Sequence, residues 1–361
     1  MTRAPAYFSN DYSSARGKFL VACKTARLRV ESFENPHAAI DGEPLCMDVA
    51  VIGPENTRAA LVLTSGTHGV EGFCGSAIQT GLILEGLGRR MPPDLRVVMV
   101  HAINPYGFAN LRRVNEDNID LNRNFIDHDT GPPANPAYDE LSDIVAPDSY
   151  WRVATGMTLA RLLIHRMVHG TDKLQAAIAG GQYNHPEGLF YGGNAPAWSN
   201  RIFRQIVRRR IAGVERAALL DIHTGLGPFG QGEIISGDLP ASPAHARAQN
   251  WWGDRVKSSK AGESVSAELS GTLKNAFGEM LPRAETTAGT LEFGTLPAIQ
   301  ILHAMQAENW LHHHGGAGHR KATRIKANLR YAFYPDSDSW KSRVWEQGCE
   351  VVEQAMRGLS G

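Results

Sequence analysis

Two stretches of the chain stay apolar over consecutive positions where a half-wet strand would alternate: "AALVLTSG" (59–66) and "LRVVMVHAINP" (95–105). Runs of this kind mark strands buried on both faces. "CMDVAVIG" (46–53), "RAALLDIHTG" (216–225) and "GTLEFGT" (289–295) also read as strands. Between the first two runs lies "FCGSAIQTGLILEGLGRR" (73–90), whose pattern predicts a helix. A strand, a helix and a second buried strand form a βαβ unit, so an α/β sheet covered on both faces is expected. "NDYSSARGKFLVACKTA" (10–26) predicts an opening helix with an Asn/Asp cap and with Phe19, Leu20 and Cys23 on one face. Residues 127–149, rich in Pro and Asp, predict a surface excursion with one short helix. Helices are expected at 151–178 and 196–212, and a mainly helical tail at 297–358. No repeat, low-complexity tract or linker-like break divides the 361 residues, so a single domain over 1–361 is expected, with the N-terminal helix and the tail packed on it.

Composition narrows the partners. Formal net charge is zero, and the longest basic run is the short "RRR" at 208–210, which argues against nucleic acid and anionic membrane surfaces. No stretch approaches the length of a membrane span, and the N-terminus lacks the apolar core of a signal peptide. Cys23, Cys46, Cys74 and Cys349 are widely separated, as expected for reduced thiols in a cytoplasmic protein. The sequence leaves the oligomeric state open.

The chemistry-bearing candidates lie at strand ends. No G-x-S-x-G, G-x-x-x-x-G-K-[ST] or H-E-x-x-H occurs. His68-x-x-Glu71 follows the strand at 59–66, where open α/β sheets place ligands. Chance supplies about 0.8 His-x-x-Glu pairs in a chain with 14 His, so position rather than spacing gives this one value. In "LLDIHTGLG" (219–227), period-2 alternation puts Asp221 and His223 on one side of the strand. That pair is either a buried Asp–His hydrogen bond or a metal ligand with its orienting carboxylate. Glu292 points away from its neighbours Leu291 and Phe293, as an ion-paired carboxylate or a tuned acid–base group. "RRVNEDNIDLNRNF" (112–125) is an Arg/Asn-dense loop after a buried strand, suited to holding carboxylates or to a structural salt-bridge hub. His165 and His169 stand at i, i+4 with no third ligand in view, and His312–His314 sit at a helix end, so neither group is assigned a metal.

Taken in order, these pieces resemble the carboxypeptidase A-like zinc peptidases. That superfamily also holds amide hydrolases of the aspartoacylase and succinylglutamate desuccinylase type. Its pattern is H-x-x-E, an Arg, D-[LA]-N-R-N-[FW], a strand-end His and a Glu on a late strand. Here the matching residues are His68 and Glu71, Arg112 or Arg113, Asp120 to Phe125, His223 and Glu292, within 46–297. "YFSNDYSSAR" (7–16), "GGQYNHPEGLFYGGNAPAWSNR" (180–201) and "NWLHHHG" (309–315) are similar to one branch of that superfamily. The resemblance implies a three-layer α/β/α fold with a mixed, mostly buried central sheet. It implies one Zn2+ held by His68, Glu71 and His223, with Glu292 as general base. Arg113, or its neighbour Arg112, would stabilise an oxyanion, and Asn122 and Arg123 would hold a free carboxylate on a peptide or small-molecule substrate. The implied activity is hydrolysis of a peptide or amide bond, or deacylation of small N-acyl amino acids; a binding protein of the same fold is the third reading. Peptidases of this superfamily supply a lid Tyr between the last ligand His and the Glu, yet residues 224–291 contain no Tyr. Tyr183 and Tyr191 are the candidates for that role, the alternative being that they pack a Gly-rich loop.

Overall fold

The computed structural model describes residues 4–38, 42–154, 156–266 and 269–361. Its centre is an eight-stranded mixed sheet in the order β1-β2-β4-β3-β5-β8-β6-β7. The strands are β1 (Val30–Glu34), β2 (Cys46–Ile52), β3 (Ala59–Ser65), β4 (Leu95–His101), β5 (Arg216–Phe229), β6 (Gly232–Ser236), β7 (Val256–Ser258) and β8 (Glu285–Gly294). β4, β3, β5 and β8 form a contiguous parallel block. Every residue of β3 and β4 is buried, which explains their unbroken apolar runs.

Helices cover both faces, giving three layers. Alternate strand residues feed two cores: Leu61, Leu63, Val97 and Met99 on one side, Ala60, Val62, Val98 and Val100 on the other. The first is closed by α1 (Tyr12–Thr25), α2 (Gly72–Leu84), a helix to be called α4 (Pro243–Trp252) and the final helix α8 (Asp338–Ser360). The second is closed by α3 (Trp198–Ile211) and α5 (Leu273–Met280), through Phe203, Ile206, Leu273 and Phe277. A third cluster joins α6 (Ala298–His313) and α7 (Ala322–Phe333) to helices within the 136–179 excursion and to Val70, beside the start of α2.

α1 begins as expected, with Asp11 accepting from the Ser14 amide. The helix expected over 151–178 is instead three, Tyr150–Ala154, Met157–His169 and Thr171–Ala179, with Gly156 and Gly170 in the left-handed region between them. The loop expected at 112–125 contains a short turn of helix, Leu121–Asn124, capped by Asp120. Among the described residues no helix is long and apolar enough to cross a membrane. The four cysteines are free thiols.

Chain order reverses direction across the sheet at β3. After β3 the chain crosses to β4 on one side, and it later returns to lay β5 on the other side of β3. Such a reversal opens a cleft at the carboxyl ends of the strands, where open α/β sheets bind ligands. His68 follows β3, and His223 lies on β5 directly opposite Glu292 of β8.

Candidate metal centre

The loop after β3 turns sharply and is pinned. The Gly69 and Val70 amides donate to the carbonyls of Arg113 and Arg112, at 3.1 and 2.8 Å. A Cβ at Gly69 would fall inside the Gly107 backbone, so only glycine permits this approach. The glycines of "TSGTHGVEG" thus lock His68 and Glu71 against the segment that carries the arginines.

Three side chains converge there. His68 Nδ1 lies 2.9 Å from Glu71 Oε1, His223 Nδ1 lies 2.8 Å from Glu71 Oε2, and the two Nδ1 atoms lie 3.1 Å apart. Behind each ring stands a carboxylate: His68 Nε2 is 3.0 Å from Asp120 Oδ1, and His223 Nε2 is 2.7 Å from Asp221 Oδ2. The orientation decides what the site suits. With each Nε2–H donating backwards, both Nδ1 lone pairs and a carboxylate face one point. Three acceptors in a buried site repel one another unless a proton or cation lies between them. One ligand atom from each of the three residues lies within 4.8 Å of the other two, and two His with one Glu is a donor set that suits a metal ion. Carboxylates behind ligand imidazoles fix tautomer and raise basicity.

The charges agree with this reading. Burial works against a charged His223, but Asp221 and Glu71 outweigh it and hold the ring protonated well above its ordinary value. Burial would likewise raise Glu71, yet the two imidazoles pull it below the carboxylate range. A proton thus fills the cation's place in the metal-free protein, and metal binding must displace it.

Asp120 organises the other side of the centre. Its Oδ2 accepts from Arg113, and its Oδ1 takes the His68 ring and, at 3.0 Å, the Asn122 amide. Burial opposes its ionisation, while Arg113, Arg123 and His68 hold it far below the usual range. Arg113 also reaches within 3.7 Å of Glu71 Oε1. Arg112 turns the opposite way, donating to Glu308 at 3.0 Å and to Asn118 at 2.7 Å. Glu292 keeps part of its surface open and accepts from the Leu226 amide at 3.0 Å. Burial first, then the charge of Glu71, pushes its carboxyl up to about 8.

Asn122 lies 3.4 Å from His223 Nε2 and accepts from the Leu273 amide at 3.0 Å. Arg123 is buried and spends Nε and Nη2 on the Ala179 carbonyl and Nη1 on that of Asn122. Three of its five N–H donors are therefore engaged. Tyr183 donates to the Arg123 carbonyl at 2.6 Å, and Tyr191 packs against the second core cluster while its carbonyl accepts from the Asp120 amide at 2.7 Å.

Two residues that sequence reasoning missed complete the surroundings. Phe190, held at φ 59, lies under both Arg113 and Arg123, with ring centres 5.4 and 5.7 Å from the guanidinium carbons. A left-handed backbone at an aromatic residue costs about 1–3 kcal/mol and persists only where surroundings impose it. No motif marks Phe190; its one sequence signal is the glycine-rich loop around it. The second is Lys274, in the first turn of α5.

A family model described as protein of unknown function (DUF2817) matches residues 8–347. No curated protein matches the chain by sequence. Solved structures similar to it are carboxypeptidases and proteins of the aspartoacylase and succinylglutamate desuccinylase families. Carboxypeptidase A from Helicoverpa armigera is 12% identical over 90% of this chain and 74% of its own, with a TM-score of 0.50. An aspartoacylase family protein from Mesorhizobium loti is 16% identical over 79% of this chain and 66% of its own, with a TM-score of 0.40. A metallo-carboxypeptidase from Pseudomonas aeruginosa is 12% identical over 95% and 68%, with a TM-score of 0.45. At these identities the likeness concerns the fold.

Proposed function

The chain belongs to the DUF2817 family, and from that premise we propose that it is a zinc-dependent hydrolase, working as one domain in the cytoplasm. It cleaves a peptide or amide bond in a substrate with a free carboxylate. The observation that carries this reading is the convergence of His68 Nδ1, Glu71 and His223 Nδ1, each imidazole backed by a carboxylate, with Glu292 across the sheet ladder from His223. His68, Glu71 and His223 would hold the zinc ion, which when bound would acidify a water near neutral pH and polarise the scissile carbonyl. Glu292 takes the proton from the attacking water and delivers it to the leaving nitrogen. Its raised carboxyl is suited to both halves of that transfer. Arg113, beside Glu71 and held by Asp120, stabilises the negative charge that develops on the carbonyl oxygen. Asn122 and the two uncommitted donors of Arg123 receive the substrate carboxylate.

A narrower reading, deacylation of small N-acyl amino acids, is favoured by Phe190. Its ring lies against both arginines and takes up space beside the groups assigned to the substrate. Neither Tyr183 nor Tyr191 is assigned a catalytic role, because the first is spent on a backbone carbonyl and the second packs into the core.

The test is the Glu292→Gln variant with zinc analysis, assayed on free-carboxylate peptides, their amides and N-acyl amino acids. Hydrolysis of at least one free-carboxylate substrate is expected in the native chain and abolished in E292Q, with zinc retained. Full activity in E292Q would remove the general base from this account.

A further inference from the structure

The helix Met157–His169 is built the wrong way round for a lone chain. Leu162 and Thr158, one turn apart, face the protein; both are buried, and Thr158 donates to Gln306 Oε1 at 3.4 Å. His165 and His169 lie toward the same side, their rings 4.3 Å apart, and His165 Nδ1 is buried without a hydrogen-bond partner. The opposite side is apolar throughout. Met157, Ala160, Leu163, Ile164, Met167 and Val168 form one exposed stripe there, with the i, i+3, i+4, i+7 spacing that ordinarily turns inward.

Five of the twelve large apolar residues left exposed among the described residues lie on this one helix, Met167 at 83% and Val168 at 69%. Together these five leave about 600 Å² open, the upper end of the largest patch on an ordinary monomer. Two such stripes face to face supply about 1,200 Å², which is where specific interfaces begin.

Charge favours a second copy over other partners. Arg161 stands at the edge of the stripe and is matched by Asp143 at 2.7 Å, and Arg152, before the helix, by Asp148 at 3.4 Å. An anionic lipid surface draws on unpaired Lys and Arg flanking the apolar face. Edges neutralised within the chain instead let two copies meet without like-charge repulsion. Shape agrees. Ile164 stands in the middle of the stripe, with the small Ala160 four residues before it and Val168 four after. About a two-fold axis at Ile164, Ala160 of each copy faces Val168 of the other, so both small–large pairs fit at once. The stripe is also tied to the site. Past Gly170 the chain forms Thr171–Ala179, and its last carbonyl accepts from Arg123 Nε at 3.1 Å and from Nη2.

We propose that this face is an interface between two copies of the chain, packed antiparallel about a two-fold axis at Ile164, and that the pairing braces the segment that ends on Arg123. Neither the metal nor hydrolysis enters the argument for it.

Sedimentation of the 361-residue chain across a dilution series tests it. The native protein should run at twice 39.4 kDa and dissociate in roughly the micromolar range, as a small interface does. Ile164→Glu sets two carboxylates against each other at the axis and should weaken pairing at least about 100-fold. Met167→Lys should act alike, while Val21→Glu, at an exposed apolar residue of α1, should change nothing. Ile164→Cys should cross-link to itself under mild oxidation, because the axis brings the two Cβ atoms within disulfide reach; Val21→Cys should not. Amide exchange over Thr171–Ala179 should be slower in the native chain than in Ile164→Glu. A native chain that stays monomeric, a dimer that survives both Ile164→Glu and Met167→Lys, or equal exchange in the two chains overturns the proposal. So does a monomer that pellets with phosphatidylserine vesicles and loses that binding in Ile164→Glu, which would make the stripe a membrane-binding surface.

Discussion

Replacing Asp221 with Asn tests the metal centre through a residue that does not touch the metal. Asp221 Oδ1 is held by the hydroxyls of Thr64 and Thr67 at 2.6 and 2.7 Å, and both are donors in this arrangement. The asparagine oxygen will therefore stay with the threonines, and its NH2 will face His223 Nε2, 2.7 Å away in the native chain. Two donors then meet. The imidazole relieves the clash by moving its proton to Nδ1, which occupies the lone pair aimed at the metal. Loss of carboxylate partners behind ligand histidines costs 10- to 100-fold in metal affinity, about 1.4–2.7 kcal/mol at 1.36 kcal/mol per tenfold. The sign of its pH dependence follows from His223. Asp221 and Glu71 hold that ring protonated well above its ordinary value in the metal-free protein. The variant lowers that value and weakens the competing proton, so its deficit should be smallest at acid pH and grow as pH rises. Competition with a chromophoric zinc chelator at several pH values measures both. A D221N affinity within about twofold of native at pH 8 would refute the tautomer argument, since the expected loss is at least tenfold.

Removing Glu308 should unfold rather than inactivate. It accepts from Arg112 at 3.0 Å and Lys326 at 2.7 Å, and Glu308→Ala leaves both cations uncompensated in the interior. The expected loss is about 3–5 kcal/mol by denaturant titration; a loss under about 1 kcal/mol would mean the pair is not buried as described. Burial opposes the Glu308 charge, but Arg112 and Lys326 hold the carboxyl below its ordinary value. Its stabilisation is therefore present above the unfolded value, about 4.3, and fades as pH falls through the lower folded value. Acid titrations of native and E308A protein should accordingly converge at low pH. Arg113→Met should lower kcat about 100- to 1000-fold with zinc still bound, as loss of an oxyanion donor does. Arg112→Met should cost stability instead, and reversed outcomes would exchange the two roles. The rate should climb with pH as Glu292 loses its proton, at a point between the ordinary 4.3 or so and the value of about 8 it has without a cation. A flat acid limb would remove Glu292 as base.

The parts of the fold that could be read from the chain are those whose burial leaves a one-dimensional trace. β3 and β4 are apolar at nearly every position because both faces are covered, and α2 lies between them as the pattern requires. β1, with its "VESFE" alternation at the sheet edge, was not foreseen, nor was β6 or the three-residue β7, too short to carry a pattern. α4 did carry a signal, Ser242 capping with Pro243 in the first turn, but its mixed composition offers no clear stripe. At the site, His68, Glu71, His223 and Glu292 were legible because they stand at the ends of predicted strands. Asp120 was visible within "DLNRNF", although its grip on both His68 and Arg113 was not. Phe190 and Lys274 reach the site by folding alone, one on a loop tied to the 112–125 segment and one on a helix between β7 and β8. Lys274 has no neighbours that would distinguish it in a sequence, and Phe190 has only the glycine-rich loop around it.

The central claim is that His68, Glu71 and His223 hold one zinc ion. Crystals of zinc-loaded protein, with diffraction data collected on either side of the zinc absorption edge, decide it. One anomalous peak per chain is expected, between His68 Nδ1, the Glu71 carboxylate and His223 Nδ1. No peak there, or one only at a surface pair such as His165 and His169, would contradict it.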